Sequence, residues 1–75
     1  MNYIEIDFDR VKGYNKLSTN AKKFFQQMYI KHNSAHGLEY KKNWIPVSVK
    51  EHRQYLEVHF SNNEWLHYYN NGTWG

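Results

Sequence analysis

Alternating apolar and polar residues define the first element of the chain. Between residues 3 and 9, Ile4, Ile6 and Phe8 fall on one side of an extended backbone, and the side chains of the other side are polar or acidic. Successive side chains of a strand point to opposite faces of a sheet. The pattern therefore predicts a half-buried first strand over residues 3–9.

A helical period follows residues 18–20, Ser-Thr-Asn, each of which can cap a helix by accepting a hydrogen bond from a free backbone N–H. The apolar sector of this helix contains Ala21, Phe24, Phe25, Met28, Tyr29, His32 and Ala35. Lys and Gln side chains lie outside that sector, so the helix is amphipathic and packs by its apolar stripe. We predict that it ends near residues 33–36, before Gly37, which can adopt the left-handed conformation.

Two further stretches alternate with a period of two. Residues 44–50 place Ile45, Val47 and Val49 on one side, and we predict a second strand here, preceded by a connecting stretch over residues 38–43. Pro46 cannot donate a ladder hydrogen bond, so we predict that this strand, or its proline end, lies at a sheet edge. Residues 54–60 and 65–69 then predict a hairpin that turns at residues 62–63, because Asn tolerates the positive φ of tight turns.

The register of the hairpin decides which side chains stay free. A two-residue turn pairs Phe60 with Trp65, Val58 with His67 and Leu56 with Tyr69, and separates His59 from His67. A one-residue slip would pair Phe60 with Leu66 and turn over every side chain of the last strand. We favour the first register, because a three-residue loop would place Glu64 in the left-handed conformation. The face that no helix covers then carries Tyr55, Glu57, His59, Leu66 and Tyr68.

A second tight turn is predicted at Asn71-Gly72, where it returns Trp74 to the side of Tyr69. The elements together predict a single α+β domain over residues 1–75. One amphipathic helix packs on one face of a four-stranded, mainly antiparallel sheet, in the order β-α-β-β-β. With 75 residues and no Cys, the domain has no disulfide, and its four Phe, seven Tyr and three Trp supply the core. Phe8, Phe24, Phe25 and Phe60 are spaced for that core.

Charge is segregated along the chain, although the formal net charge is only +3. Residues 1–9 contain acids and no base, residues 10–42 carry a strong positive excess, and residues 43–75 are slightly acidic. Lysines interleaved with aromatic side chains are typical of surfaces that follow phosphates and stack bases, and they also suit an acidic protein surface. The alternative is that these lysines only solvate the polar face of the helix.

The sequence thus nominates two groups of partner-binding residues. The basic group is Lys12, Lys16, Lys22, Lys23, Lys31, Lys41 and Lys42. The aromatic and apolar group is Tyr14, Tyr40, Trp44, Tyr55, Leu66 and Tyr68. Trp and Tyr are enriched at binding hot spots, whereas the scarcity of Arg argues against bidentate phosphate or base recognition.

No catalytic motif is found, so we predict that the protein is not an enzyme and uses no cofactor. His32 and His36 have a spacing that can share a metal, but Asn33 stands where a zincin helix needs Glu, and a partly buried, hydrogen-bonded His32 is the better interpretation. The acids of residues 5–9 could hold Mg²⁺ from one strand face, but such sites need ligands that converge from several directions. We predict no metal site.

The leading hypothesis is a non-enzymatic, cytoplasmic protein of a phage or mobile element that sterically blocks a bacterial nucleic-acid-handling or defence protein. Small size, the absence of Cys and the abundance of Asn, Lys and Tyr expected from AT-rich codons favour this origin. The alternative is direct DNA or RNA binding through the Lys-rich residues 10–42 and nearby aromatics. A homodimer through the open sheet face is a third possibility. The acidic start of the chain and its short apolar runs predict no signal peptide and no membrane partner.

Overall fold

The computed structural model describes residues 2–75, which form an α+β fold with one long helix against a three-stranded antiparallel sheet. Two short 3-10 turns, Phe8–Arg10 and Tyr14–Lys16, precede the regular elements. The helices are α1 (Thr19–Ser34) and α2 (Leu38–Asn43), and the strands are β1 (Pro46–Glu51), β2 (Tyr55–Phe60) and β3 (Trp65–Tyr69). The strands follow one another in the sheet in the order β1-β2-β3.

The predicted first strand over residues 3–9 does not form, so the four-stranded sheet and the β-α-β-β-β order are not confirmed. Both backbone groups of Ile4 bond to side chains of α1, and residues 8–10 form the first 3-10 turn. The Ile4 N–H donates to Asn33 Oδ1 at 2.8 Å, and the Tyr29 hydroxyl donates to the Ile4 carbonyl at 2.6 Å. An extended segment bound in this way shows the same alternation as a strand, which is why the pattern misleads.

Helix α1 forms at its predicted position, and five of the seven residues of its predicted stripe are buried, whereas Phe24 is half-buried and Ala35, which follows the helix, is exposed. Ser18 caps it, because its Oγ accepts from the Ala21 N–H. The buried residues are Ala21, Phe25, Met28, Tyr29, His32 and Asn33. Asn33, which the helical period places outside the apolar sector, is buried because its amide joins the N-terminal segment to the Lys41 carbonyl. Gly37 has φ −74° and precedes α2, so the predicted left-handed cap and the connecting stretch over residues 38–43 are both wrong.

Strand β1 lies at the sheet edge, as Pro46 predicted, but its alternation is interrupted. A β-bulge between Pro46 and Ser48 puts both Pro46 and Val49 on the buried side and leaves Val47 exposed. The outer edge of β1 is partly covered by Lys12 in a parallel bridge. The Lys12 N–H donates to the Val47 carbonyl at 3.0 Å, and the Val49 N–H donates to the Lys12 carbonyl at 2.8 Å.

The β2–β3 hairpin has a different register from the one predicted. Its loop is Ser61-Asn62-Asn63, with Asn63 in the left-handed conformation at φ 68°. The Asn63 N–H donates to the Phe60 carbonyl, and the Phe60 N–H donates to the Glu64 carbonyl. A three-residue loop of this kind is a common hairpin turn, and it places Asn63, not Glu64, in the left-handed conformation. Consequently Val58 pairs with Leu66 and His59 with Trp65, and neither the favoured nor the slipped prediction is correct.

The C-terminal residues repeat the same type of loop at Asn70-Asn71-Gly72. Gly72 takes the left-handed position at φ 87°, and the Tyr69 N–H donates to the Thr73 carbonyl at 2.8 Å. Trp74 therefore bridges to Tyr68, one residue from its predicted neighbour Tyr69. Within residues 2–75, neither helix has the length and apolar content needed to cross a membrane.

Candidate functional site

The register sends two sets of side chains from the hairpin to opposite sides of the sheet. Leu56, Val58, Phe60, Leu66 and Tyr68 face α1 and belong to the core or pack against it. The other side, which we call the open face, consists of Ser48, Lys50, Tyr55, Glu57, His59, Trp65, His67 and Tyr69. Trp65 is 52% exposed and Tyr69 is 37% exposed, so the open face offers large ring surfaces to solvent.

The rings of the open face touch one another in a continuous row that starts at His52. His52 stacks on Tyr55 at 4.7 Å, and Tyr55 meets His67 edge-on at 4.5 Å. His67 then meets Trp65 at 5.0 Å, and Trp65 lies parallel to His59 at 6.0 Å. The rings therefore form one contiguous surface along the hairpin.

Glu57 lies in the middle of the open face between two histidines. Its carboxylate oxygens contact His59 Nε2 at 2.8 Å and His52 Nε2 at 3.2 Å. The hydrogen bond from His59 is the main reason that the pKa of Glu57 is lowered below its usual value. The open face therefore keeps one negative charge at neutral pH, held by neighbouring rings.

Three lysines form a border on the β1 side of the open face: Lys50 belongs to the face itself, and Lys12 and Lys16 lie beside it. Lys12, Lys16 and Lys50 line a depression of about 450 Å³ together with Ser48, Glu57 and His59. The parallel bridge to β1 fixes the backbone of Lys12, and the 3-10 turn that follows Gly13 carries Lys16. This cationic border adjoins the row of rings.

The structure distributes the seven predicted lysines over several surfaces. Only Lys12 and Lys16 border the open face. Lys22, Lys23 and Lys31 belong to α1, and Lys41 and Lys42 belong to α2, on the side of the sheet that the open face does not share. Lys31 is already engaged, since its Nζ donates to the Gly72 carbonyl at 2.7 Å. The positive excess of residues 10–42 is therefore not one surface.

Most residues of the predicted aromatic and apolar group do not lie on an exposed surface. Tyr68 is fully buried and Tyr14 nearly so, and Leu66 packs against the core, so these three residues are not exposed to a partner. Tyr40 and Trp44 stack on each other at 4.9 Å beside His32 and are partly buried. Of the six residues, only Tyr55 belongs to the open face, because the predicted register had placed Leu66 and Tyr68 on the wrong side.

The residues that the sequence reasoning missed are Trp65, His67 and Tyr69, and with them the grouping of His52, Glu57 and His59. The Ser61-Asn62-Asn63 triplet is compatible with a three-residue loop, but it does not distinguish that loop from a two-residue turn at Asn62-Asn63. A left-handed Asn at the third loop position fixes a three-residue loop, and that loop turns β3 over relative to the two-residue alternative. His59 and His67 consequently share a face, contrary to prediction.

The two candidate metal clusters do not assemble into ligand sets. Both ring nitrogens of His32 contact tyrosine hydroxyls, Nδ1 that of Tyr68 at 2.9 Å and Nε2 that of Tyr40 at 2.8 Å, which confirms the hydrogen-bonded interpretation. Asp7 instead caps a 3-10 turn by accepting from the Asp9 N–H. Across residues 2–75, no three His, Asp or Glu side chains are placed to hold one ion.

Comparisons of the chain with protein-family models, with curated proteins and with solved structures gave no match. The function is therefore argued from the geometry of the open face and its lysine border.

Proposed function

We propose that the protein is a non-enzymatic module that binds single-stranded nucleic acid on its open face. The observation that carries this proposal is the contiguous row of rings, which Tyr69 joins at His67 and in which Trp65 and Tyr69 remain exposed beside a border of three lysines. Every nucleobase has a π-face, so exposed rings bind single strands without strict sequence preference. Lysine side chains at the border bind the phosphates as point charges.

The proposal changes the residues that the sequence had nominated for nucleic-acid contact. Lys12, Lys16 and Lys50 adjoin the rings, whereas Lys22, Lys23, Lys41 and Lys42 lie on the helices that cover the other side of the sheet. If the open face binds nucleic acid, the loss of affinity in a lysine variant should therefore depend on which lysines are replaced, and not only on how many.

Removing the lysine border is expected to weaken binding and to reduce its salt dependence. In the variant Lys12→Gln/Lys16→Gln/Lys50→Gln, the slope of log K against log salt for a fluorescein-labelled dT oligonucleotide should become less steep by about 2, since each phosphate contact on a single strand contributes about 0.7. The measurement is fluorescence anisotropy over a series of salt concentrations.

The matched control is Lys23→Gln/Lys41→Gln/Lys42→Gln, which has the same net charge as the border variant. Its slope should equal that of the unmodified protein. If the two triple variants lose affinity equally, the open face is not the binding surface. If the unmodified protein binds no oligonucleotide at low salt, the proposed function is wrong.

Removing the most exposed ring is expected to weaken binding without a change in the salt slope. Trp65→Ala should lower the affinity for the dT oligonucleotide by about 1–3 kcal/mol, the range for loss of one base–aromatic stack. Trp65→Phe should retain most of the affinity, because Phe keeps a π-face. Leu38→Ala removes an apolar side chain of α2 that is 60% exposed, and it should have no effect on binding. An unchanged affinity of Trp65→Ala would contradict a stacking role.

Steric docking on a bacterial nucleic-acid-handling or defence protein is the second candidate function, with the protein acting as a cytoplasmic inhibitor of phage or mobile-element origin. The ionised Glu57 in the middle of the open face favours it, because a carboxylate repels phosphates but pairs with a cationic side chain of a protein. Such a partner would place that cation on Glu57 and acidic groups on the lysine border.

A pull-down from a low-GC bacterial lysate, repeated after nuclease treatment, separates the two candidate functions. A protein that is retained after nuclease treatment and lost with Glu57→Gln supports docking. Loss of every partner after nuclease treatment contradicts it and supports nucleic-acid binding. Sedimentation at two concentrations tests whether a second copy covers the open face instead.

A further inference from the structure

Three of the five histidines of the chain lie on or beside the open face. His59 and His67 belong to the two strands of the hairpin, and His52 begins the row of rings. The other two, His32 and His36, lie with the helices on the other side of the sheet. Histidine is the side chain that ordinarily changes its charge between pH 5 and pH 8. The charge of the open face therefore varies with pH over this interval.

Glu57 brings two of these histidines together. One of its carboxylate oxygens lies 2.8 Å from His59 Nε2, and the other lies 3.2 Å from His52 Nε2. Each contact is a hydrogen bond while the ring is neutral and becomes an ion pair when the ring is protonated. His67 is the cross-strand partner of Glu57 on β3. All three rings are half-buried, so they can exchange protons with water and can lie against a bound strand.

The other charged groups around these rings are mostly cationic, and lysine and arginine ordinarily keep their charge over the same interval. They are Lys12, Lys16 and Lys50 on the β1 side, and Glu51 and Arg53 next to His52 in the chain. The Glu51 carboxylate accepts from both the N–H and the hydroxyl of Ser18, so it is engaged at the start of α1. Among residues 2–75, Glu57 is the only carboxylate that contacts the ring nitrogens of a histidine.

We propose that protonation of His52, His59 and His67 strengthens nucleic-acid binding on the open face, so that single strands bind more tightly at pH 6.0 than at pH 7.5. The inference rests on the proposed function, since it concerns the regulation of the same face.

The physical reason is the position of the Glu57 carboxylate in the middle of the open face. At neutral pH this carboxylate repels the phosphates of a strand that crosses the face. A protonated ring on each of its two oxygens compensates that charge. His59 also lines the lysine depression and lies parallel to Trp65, so its positive charge extends the lysine border to the most exposed ring.

The test uses a dT oligonucleotide labelled with tetramethylrhodamine, because neither thymine, the phosphodiester nor this dye titrates between the two pH values. One additional phosphate contact on a single strand contributes about 0.7 to the slope of log K against log salt, which corresponds to about fivefold in affinity at about 0.1 M salt. Fluorescence anisotropy should therefore show binding at least about fivefold tighter at pH 6.0, with a slope steeper by about 0.7 or more.

Replacing the three rings should remove this pH dependence. His52→Gln/His59→Gln/His67→Gln should bind with less than about a twofold difference between the two pH values, because its open face no longer contains histidine. The matched comparison uses two single variants. His59→Gln should reduce the pH dependence, whereas His36→Gln, which removes the histidine that stacks on Tyr40 of α2, should retain it. Circular dichroism at both pH values checks that each variant is folded.

Should the triple variant fail to fold, NMR titration of the unmodified protein with and without the oligonucleotide replaces it. Protonation and binding are linked, so the pH at which His59 gains its proton should rise in the complex, whereas that of His36 should not. An unchanged titration of His59 in the complex would contradict the inference.

Three results of the binding measurements also overturn the inference: equal binding by the unmodified protein at the two pH values, a pH dependence that survives in the folded triple variant, and an equal loss of pH dependence in His59→Gln and His36→Gln. In each of them the proposed function stands, because the strand is still bound. Absence of binding at both pH values and low salt overturns the proposed function itself.

Discussion

Gly13→Ala is expected to lower the free energy of unfolding by about 3 kcal/mol or more, from a left-handed backbone strain of about 1–2 kcal/mol and a steric collision. Gly13 has φ +90°, and a Cβ atom there would run into the carbonyl oxygen of Val49. That carbonyl belongs to β1 at the point where Lys12 bridges to the strand. Relief of the collision must therefore separate residues 11–13 from the sheet.

The measurement is urea unfolding of Gly13→Ala beside Gly72→Ala, the matched control. Gly72 also has a left-handed backbone, at φ +87°, but the nearest atom to an added Cβ is Lys31 Nζ at 3.5 Å, which is an ordinary contact distance. The free energy of unfolding of the control should fall only by the cost of the backbone strain, about 1–2 kcal/mol. Equal losses in the two variants would show that close approach to Val49 does not matter. Any Gly13→Ala protein that folds should also bind nucleic acid more weakly, because Lys12 and Lys16 flank this glycine.

Helix α1 could be predicted because its determinants are local. Ser18 supplies the cap, and the spacing of Phe25, Met28 and Tyr29 produces the buried stripe whatever the stripe packs against. The N-terminal segment could not be predicted in the same way. Its alternation is real, but its hydrogen-bond partners are the side chains of Tyr29 and Asn33, which are distant in sequence. An alternation with a period of two indicates that one side of the segment is buried, but it does not show which element covers that side.

The candidate site was missed because it depends on one residue of register. Two-residue and three-residue loops are both common in hairpins, and both accept Asn in the left-handed conformation. The choice of loop moves Trp65 and Tyr69 to the open face and Tyr68 into the core. Tyr68 is accommodated there because its hydroxyl meets His32 Nδ1, a contact between residues in different elements that no local pattern indicates.

Acidification is expected to destabilise the protein through His32. The ring is fully buried, and burial, with a smaller contribution from the neighbouring His36, lowers the pKa of His32 from 6.5 to about 4. Its two nitrogens contact the hydroxyls of Tyr68 and Tyr40, which adjust to a neutral ring by one donating and the other accepting. The unfolded chain has no such environment, so its His32 binds a proton at higher pH.

The sign of the effect follows from the lowered pKa. The contribution of His32 is complete above the unfolded pKa of 6.5 and falls as the pH drops towards the folded value of about 4. Between pH 7.5 and pH 5 the free energy of unfolding should decrease by about 2 kcal/mol, with a slope that approaches about 1.4 kcal/mol per pH unit. The pKa of Glu57 is lowered from 4.5, so the loss that it causes begins below this window.

Urea unfolding at several pH values measures this dependence, and His32→Gln is the variant that removes the titrating group. Gln offers a donor and an acceptor to the two tyrosines but lacks the packed ring, so the variant should be less stable at neutral pH. Because it also lacks the titrating group, its stability should change less between pH 7.5 and pH 5. If the variant does not fold, the ring of His32 in the unmodified protein can be titrated by NMR. A His32 ring that gains its proton near pH 6.5 in the folded protein would contradict the prediction. The pKa of His32 would then be the same in the folded and unfolded states, and its protonation would not change the free energy of unfolding.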